Sequence, residues 1–293
     1  MRNIILNNGF SIPEIGYGTF PQRETLLEII PIVMRYGYGL VDTSDNYLNE
    51  EYIKVPSNVI VATKFSWPLR AFELKQGFEE SINKIGKVDI YLLHWPHPYL
   101  WKTEWRLMEE LYLSGKVKAI GVCNFDIGYM KELLSICRVM PSINQIERHP
   151  LFQQRELVKF CLERGIQVMA YSPIARMDKE LQDSPVLKHI SLKYGKSINQ
   201  IILRWDIDTG CIPIPASKSE VHIKENMDVF DFKLTLEEID EINNMDCGKR
   251  IRFNPRTRFS ASQKKQFLLL KVKRFLSLIF GNRILNNLLI KYI

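Results

Sequence analysis

The sequence lacks the features of a membrane-spanning or secreted protein. It contains no uninterrupted apolar run of about 18 residues, which argues against a helix that crosses a bilayer. Residues 1–9 have no basic stretch followed by a long apolar run, so they do not resemble a secretory signal. The five cysteines are widely spaced without a Cys-x-x-Cys pair or Cys/His cluster, so neither a disulfide framework nor a metal site is predicted. We expect a cytoplasmic protein with reduced thiols.

Acidic residues are absent from the last part of the chain. The 293 residues carry a net charge of +7, but residues 249–293 contain twelve Lys or Arg and no Asp or Glu. Residues 1–248 are therefore net negative, although the whole chain is basic. The total charge thus does not indicate a nucleic-acid-binding protein. Otherwise the composition, 46% hydrophobic and 25% charged, is that of an ordinary globular protein.

Short runs rich in β-branched residues alternate with helical patterns along most of the chain. Runs such as VIVAT and IYLL are apolar on both faces, as in buried parallel strands. The predicted strands end at Thr19, Thr43, Lys64, His94, Val122, Ile146, Tyr171 and Ile214. Apolar residues at three- and four-residue spacing predict helices over 24–36, 71–85, 103–114, 127–137, 153–164 and 197–208. Eight strands separated by helices predict an α/β fold, a closed (β/α)₈ TIM barrel.

Two further elements are predicted outside the repeating pattern. An Asn8-Gly9 turn signal between short apolar runs predicts a β-hairpin over residues 4–12, which we expect to close one end of the barrel. No change of composition occurs before about residue 255. We therefore divide the chain into a barrel domain, 1–259, and a basic amphipathic C-terminal tail, 260–293.

The tail is predicted to contain a helix over residues 264–280. Bulky aliphatic and aromatic residues fall mainly on one face of this helix, and lysine and arginine fall mainly on the other. Such a helix suits peripheral contact with an anionic membrane surface. Packing on the barrel or on a second subunit is an equal alternative, and we expect a monomer or a weak dimer. Nucleic-acid binding is disfavoured because the bulky residues are mostly aliphatic.

Four polar residues lie at or just after the ends of three consecutive predicted strands, where barrels place their catalytic groups: Asp42, Tyr47, Lys64 and His94. Each alone has an ordinary explanation as a turn, surface or core residue, and only their common position favours catalysis. An ammonium beside a phenol lowers the pKa of the phenol, so Lys64, held by Asp42, would make Tyr47 a better acid. A histidine can orient a substrate oxygen. This set suits proton-coupled hydride transfer to a carbonyl.

The chain resembles the aldo-keto reductase family over about residues 4–246. Eight segments carry the resemblance: LNNGFSIPEIGYGTF (6–20), DTSDNYLNE (42–50), ATK (62–64), LLHWP (92–96), GKVKAIGVCNF (115–125), INQIERHP (143–150), AYSP (170–173) and IKEN (223–226). The resemblance implies a (β/α)₈ barrel that binds a nicotinamide cofactor without a Rossmann fold. It also implies reversible reduction of an aldehyde or ketone, with Tyr47 as the general acid, Lys64 and Asp42 tuning it, and His94 orienting the carbonyl.

The same resemblance implies which residues bind the cofactor and the substrate. Asn124 and Gln145 would hydrogen-bond the carboxamide, and Tyr171 would stack on the nicotinamide ring. The cofactor set as a whole is Gly18, Thr19, Asp42, Asn124, Gln145, Tyr171, Ser172, Ser217, Lys218, Glu225 and Asn226. The substrate, a small carbonyl compound, would meet Phe20, Tyr47, His94 and Trp95.

Three departures from the family's pattern affect these expectations. Cys123 replaces the usual serine, and a thiol is a weaker hydrogen-bond donor. Ala216 and His222 replace the usual lysine and arginine that bind the 2′-phosphate of NADP, and Lys218 lies two places along from the first of them. NADP(H) remains the preferred cofactor, and NAD(H) is an open alternative. The segment 50–64 is short, so the second helix of the barrel is predicted to be stunted or missing.

The sequence leaves both the substrate and an alternative function open. Residues after the last helix fold over the barrel rim in this family, and residues 250–259 would do so here, but the sequence does not indicate which carbonyl compound is the substrate. An alternative function is a nucleotide-binding redox sensor or regulatory subunit docked through its tail. The complete set of four catalytic residues favours the enzyme.

Overall fold

The computed structural model describes residues 3–66 and 74–259. A hairpin of two antiparallel strands, β1 (Asn3–Ile5) and β2 (Ser11–Pro13), precedes a sheet of eight parallel strands. In chain order these are β3 (Tyr17–Gly18), β4 (Leu40–Asp42), β5 (Ile60–Phe65), β6 (Ile90–Leu93), β7 (Ala119–Cys123), β8 (Ile143–Glu147), β9 (Gln167–Tyr171) and β10 (Cys211–Ile214). Neighbours in the chain are neighbours in the sheet. The predicted strand ends agree with this list within a few residues.

The sheet closes into a barrel between β3 and β10. The amide of Gly16 donates to the carbonyl of Pro213 (3.1 Å), and that of Gly18 donates to the carbonyl of Pro215 (2.9 Å). These bonds connect the first strand to the last. The predicted (β/α)₈ barrel is confirmed.

Ten helices follow the strands within the described residues. They are α1 (Leu26–Arg35), α2 (Leu74–Ile85), α3 (Trp101–Leu113), α4 (Ile127–Ile136), α5 (Arg155–Leu162), α6 (Lys179–Gln182), α7 (Pro185–Tyr194), α8 (Ile198–Asp208), α9 (Glu220–Met227) and α10 (Leu236–Asn243). Six correspond to the predicted helices, and residues 71–73 of one prediction lie outside the described part. Helices α6, α7, α9 and α10 were not predicted, although Thr235 and Glu238 form a capping box that marks the start of α10.

No α-helix separates β4 from β5, as predicted from the short segment between them. Two 3₁₀ turns, Asp45–Tyr47 and Glu50–Tyr52, occupy this position. The buried Glu50 carboxylate accepts hydrogen bonds from the hydroxyls of Thr63 (2.7 Å) and Ser81 (2.9 Å). These bonds attach the loop to β5 and α2, so that Tyr47 lies on a short, anchored segment.

The hairpin closes one end of the barrel. Leu6 and Ile12 pack in the same apolar cluster as barrel residues that include Leu40, Ala62, Ile90, Ala119, Ile143 and Ile212. The turn contains Gly9 at a φ of 83°, a conformation that favours glycine. The Asn8 amide nitrogen donates to the Lys118 carbonyl (2.8 Å), just before β7 begins. The hairpin therefore covers the amino-terminal ends of the strands and leaves the carboxyl ends accessible.

The described chain ends with a segment that returns to the carboxyl ends of the strands. The buried Glu147 carboxylate accepts hydrogen bonds from the backbone amides of Ile251 (2.5 Å) and Arg252 (3.1 Å). The predicted tail, 260–293, and its helix over 264–280 lie outside the described residues. Among the helices that are described, none combines the length and apolar character needed to cross a membrane.

Candidate active site

A buried ion pair lies at the carboxyl ends of β4 and β5. The Lys64 ammonium donates to Asp42 Oδ2 (2.6 Å) and to the Thr43 carbonyl (2.6 Å). Lys64 is fully buried, and Asp42 is 4% exposed. The Gln145 amide nitrogen donates to the second carboxylate oxygen of Asp42 (2.8 Å). The carboxylate thus has partners on both oxygens, which is what a charge without contact with water requires.

The Tyr47 ring lies above this pair. The Lys64 Nζ is 5.3 Å from the centre of the ring, and the His94 ring centre is 5.8 Å from it. Burial raises the pKa of Tyr47 to about 12, although the positive charge of Lys64 acts to lower it. The effect expected of Lys64 is therefore present, but burial outweighs it. Tyr47 holds its proton throughout the neutral range.

The imidazole of His94 is held by hydroxyl groups. Its Nδ1 lies 3.0 Å from the Ser44 hydroxyl and also contacts the Ser66 hydroxyl, and these two hydroxyls are 2.8 Å apart. Burial, with a further contribution from the charge of Lys64, lowers the pKa of His94 well below its usual value. The ring is therefore neutral. A neutral imidazole that accepts a hydrogen bond at Nδ1 carries its proton on Nε2.

Three of the four predicted catalytic residues, Asp42, Tyr47 and His94, line one cavity of about 420 Å³, and Lys64 is bound to Asp42 behind it. Most of the predicted cofactor and substrate residues line it: Gly18, Thr19, Phe20, Asp42, Tyr47, His94, Trp95, Asn124, Gln145, Tyr171 and Ser172. The structure therefore brings these residues together, as the strand ends predicted.

Asn124 and Tyr171 are joined across the cavity wall. The Asn124 amide nitrogen donates to the His94 carbonyl (2.9 Å), and its oxygen accepts from the Tyr171 hydroxyl (2.7 Å). Asn124 has a φ of 64°, in the left-handed region that asparagine tolerates better than most residues. Cys123, by contrast, belongs to the apolar cluster inside the barrel. The replacement of the family's serine therefore changes the wall behind the cavity rather than its lining.

The remaining predicted cofactor residues lie outside this cavity, beyond β10: Ser217, Lys218, Glu225 and Asn226. Ser217 accepts from the Ser219 amide (3.0 Å) at the start of α9. Asn226 is buried, and Lys218 is exposed. Ala216 lines the cavity and is exposed, and His222 is exposed on α9. These positions run from the edge of the cavity through the loop after β10 and along α9.

Sequence reasoning missed several residues of the site. The loop after β9 adds the cavity residues Pro173, Ile174, Arg176 and Met177, and the C-terminal segment adds Arg252. In that loop Ser172, Ala175, Arg176 and Met177 all have positive φ, which costs non-glycine residues free energy and clusters at functional sites. The expectation that residues 250–259 fold over the rim pointed towards Arg252. No sequence pattern pointed to Ser44 or Ser66.

The comparisons with known proteins agree with the fold. The model of the Aldo/keto reductase family matches residues 13–246. The uncharacterized oxidoreductase YtbE of Bacillus subtilis is 38% identical over 267 residues, 85% of this chain and 95% of that protein. The glyoxal reductase of the same organism is 36% identical over 263 residues, 85% of this chain and 95% of that protein.

A solved structure of an aldo-keto reductase has the same fold as this chain. An aldo-keto reductase of the silkworm Bombyx mori in complex with NADP superposes with a TM-score of 0.80 at 31% identity, covering 86% of this chain and 94% of that one. A closed parallel barrel with a cavity at the carboxyl ends of its strands places the chain in the (β/α)₈ class, which this neighbour shares. The chain belongs to the aldo-keto reductase family.

Proposed function

We propose that this protein is an NADP(H)-dependent carbonyl reductase that converts an aldehyde or ketone to an alcohol and can run the reverse oxidation. The observation that supports it most is the common position of Tyr47, the buried Lys64–Asp42 pair and the neutral His94 at one cavity. The B. subtilis relative is named a glyoxal reductase. A cytoplasmic monomer or weak dimer acting on a small carbonyl compound completes the proposal.

The cavity fits a nicotinamide ring. Since Gln145 donates its amide nitrogen to Asp42, its oxygen is left to accept from a carboxamide NH₂ group. The Asn124 amide nitrogen has one N–H engaged by the His94 carbonyl, and its second N–H can donate to the carboxamide oxygen. The Tyr171 ring, fixed through its hydroxyl, offers a flat surface for stacking.

The chain's own residues supply the rest of the chemistry. A bound dihydronicotinamide supplies the hydride that goes to the carbonyl carbon. His94 donates its Nε2–H to the carbonyl oxygen and fixes the orientation of the substrate. Tyr47 transfers its phenolic proton to the same oxygen as negative charge develops there, which yields the alcohol. The Lys64 ammonium, kept charged by Asp42, stabilises the phenolate that remains.

The proposal is tested by following NADPH oxidation with a panel of aldehydes and ketones. We expect turnover of at least some members, and the consumption of cofactor should equal the alcohol formed. Tight nucleotide binding without turnover of any carbonyl would instead support the alternative of a redox sensor or regulatory subunit.

The rate of reduction is expected to be independent of pH between about 6 and 8. Reduction requires a protonated Tyr47 and a neutral His94. The pKa of Tyr47 is raised to about 12, so its proton is lost only at high pH, and the pKa of His94 is lowered well below its usual value, so the ring gains a proton only in acid. The measurement is kcat/KM from about pH 5 to 10. An inflection near pH 6.5 that disappears in His94→Gln would contradict this assignment.

Cofactor preference is expected to change when lysine and arginine are placed at positions 216 and 222. The double variant Ala216→Lys/His222→Arg should bind NADPH about 10- to 100-fold more tightly, because two charge-assisted hydrogen bonds to the 2′-phosphate become available. NADH affinity should stay within about twofold, since NADH has no phosphate at this position. Fluorescence titration with both nucleotides measures the effect.

The matched variant Lys218→Ala tests whether this exposed lysine compensates in the natural protein. We expect it to weaken the binding of NADPH and not that of NADH. Equal affinities of NADPH and NADH for the natural protein would show that its site does not discriminate between them.

A further inference from the structure

The mouth of the cavity carries two arginines that have no ion-pair partner among the described residues. Arg176 and Arg252 line the cavity, from the loop after β9 and from the C-terminal segment. Both guanidinium groups face the Phe20 ring, at 5.9 Å and 5.5 Å from its centre. Neither forms an ion pair within residues 3–66 and 74–259. The one acidic residue of the cavity lining, Asp42, is already paired with Lys64.

Two neighbouring arginines in the same segment are ion-paired, and a third is not. Arg256 forms a two-pronged ion pair with Asp126, with distances of 2.5 Å and 2.6 Å. Arg250 lies 3.7 Å from the Glu147 carboxylate. Arg258 stacks on Trp95 at 5.3 Å, and its buried Nε has no hydrogen-bond partner. Arg176 and Arg252 are the arginines that line the cavity, and neither has an acid at ion-pair distance among the described residues.

These charges act on the catalytic end of the cavity. The Phe20 ring that separates Arg252 from the site lies 5.0 Å from the Tyr47 ring. The pKa of His94, depressed first by burial, is lowered further by the charges of Arg258 and Arg252. Of the residues that replace the usual NADP-binding cations, His222 lies on α9 outside the cavity, and Ala216 lies at the cavity edge after β10. A counter-ion held by Arg252 would thus lie beside the reacting carbonyl.

We propose that the substrate is an anionic carbonyl compound, whose carboxylate or phosphate group lies between Arg252 and Arg176 while its carbonyl meets Tyr47 and His94. The proposal rests on the proposed function and names its substrate class. A guanidinium presents two parallel N–H groups to a carboxylate or phosphate, which gives both affinity and orientation. The Phe20 ring beneath provides an apolar surface for the carbon chain that links the two groups.

The test compares two substrates that differ in one charge, 4-carboxybenzaldehyde and its methyl ester. The natural enzyme should prefer the acid by about 10-fold or more in kcat/KM, mainly through KM. In Arg252→Gln, kcat/KM for the acid should fall by about 10- to 100-fold, and that for the ester should stay within about threefold. Arg252→Lys should recover part of the preference, because it restores the charge. Arg256→Gln, in the same segment but paired away from the cavity, is the matched control and should leave both values unchanged.

Three other outcomes would contradict the substrate proposal, and the last of them would also contradict the proposed function. Turnover of acid and ester at equal rates by the natural enzyme overturns the anionic-substrate inference and leaves the proposed function intact. A loss of NADPH affinity in Arg252→Gln that equals the loss of kcat/KM for both substrates assigns the guanidinium to the cofactor and also overturns the inference. Turnover of neither compound, nor of any other carbonyl, removes the proposed function and this inference with it.

Discussion

Replacing Tyr47 with phenylalanine is expected to lower kcat for carbonyl reduction by about 100- to 10,000-fold, the range that a positioned general acid contributes. The substitution removes only the hydroxyl. The ring keeps its contacts with Phe20 and His94 and its position above Lys64. Cofactor affinity should therefore remain within about twofold, because Asn124 and Gln145, the proposed carboxamide partners, are unchanged. Steady-state rates and nucleotide titration measure the two quantities.

Tyr99→Phe is the matched control for this variant. Tyr99 is 51% exposed on the loop after β6 and does not line the cavity. Its hydroxyl is removed by the same chemical change, and activity should stay within about twofold. Retention of more than about a tenth of the activity in Tyr47→Phe would show that another group, or water, donates the proton. A loss of nucleotide binding in that variant would instead show that Tyr47 holds the cofactor.

The elements that the sequence predicted share a strong local signal. Several of the parallel strands contain short apolar runs, and the six predicted helices have clear helical spacing. Asp42, Lys64 and His94 were placed correctly at one rim because strand ends in a parallel barrel necessarily meet there. Tyr47 was also predicted to lie at this rim, because it is close to Asp42 in the sequence. Secondary structure and topology therefore accounted for the common position of these four residues.

The residues that were missed depend on contacts between distant parts of the chain. Arg252 reaches the cavity because Glu147, on β8, binds the backbone of the C-terminal segment. Arg176 reaches it through a loop of residues with positive φ. This loop contains no glycine that would have indicated such a conformation in the sequence. Ser44 and Ser66 meet at His94 only because β4, β5 and β6 are adjacent. None of these contacts has a periodicity or spacing that a sequence pattern could indicate.

The upward shift of the Tyr47 pKa is also a property that the sequence could not predict. Proximity to Lys64 could be inferred from the strand ends, and a positive charge acts to lower the pKa of a phenol. The extent of burial could not be inferred, and it is the larger effect, since it raises the pKa to about 12. A buried phenol with a nearby ammonium keeps its proton until negative charge develops on the substrate oxygen. This arrangement suits a general acid that acts in the transition state.

Lys64→Met is expected to destabilise the fold by about 3 to 5 kcal/mol as well as to abolish reduction. The substitution keeps the length of an unbranched side chain but removes the ammonium that Asp42 and the Thr43 carbonyl share. Asp42, at 4% exposure, would then be a buried carboxylate with only the Gln145 amide as partner. Denaturant unfolding measures the loss of stability, and NADPH oxidation measures the loss of activity.

The double variant Lys64→Met/Asp42→Asn separates the two effects. A neutral asparagine still accepts the hydrogen bond from Gln145 and removes the unpaired charge, so we expect most of the lost stability to return. Activity should not return, because no cation remains to stabilise the Tyr47 phenolate as the proton leaves. If the double variant were as unstable as Lys64→Met, the cost would come from packing or from the Thr43 carbonyl rather than from the carboxylate. Recovery of reduction together with stability would show that Lys64 serves the fold and not proton transfer.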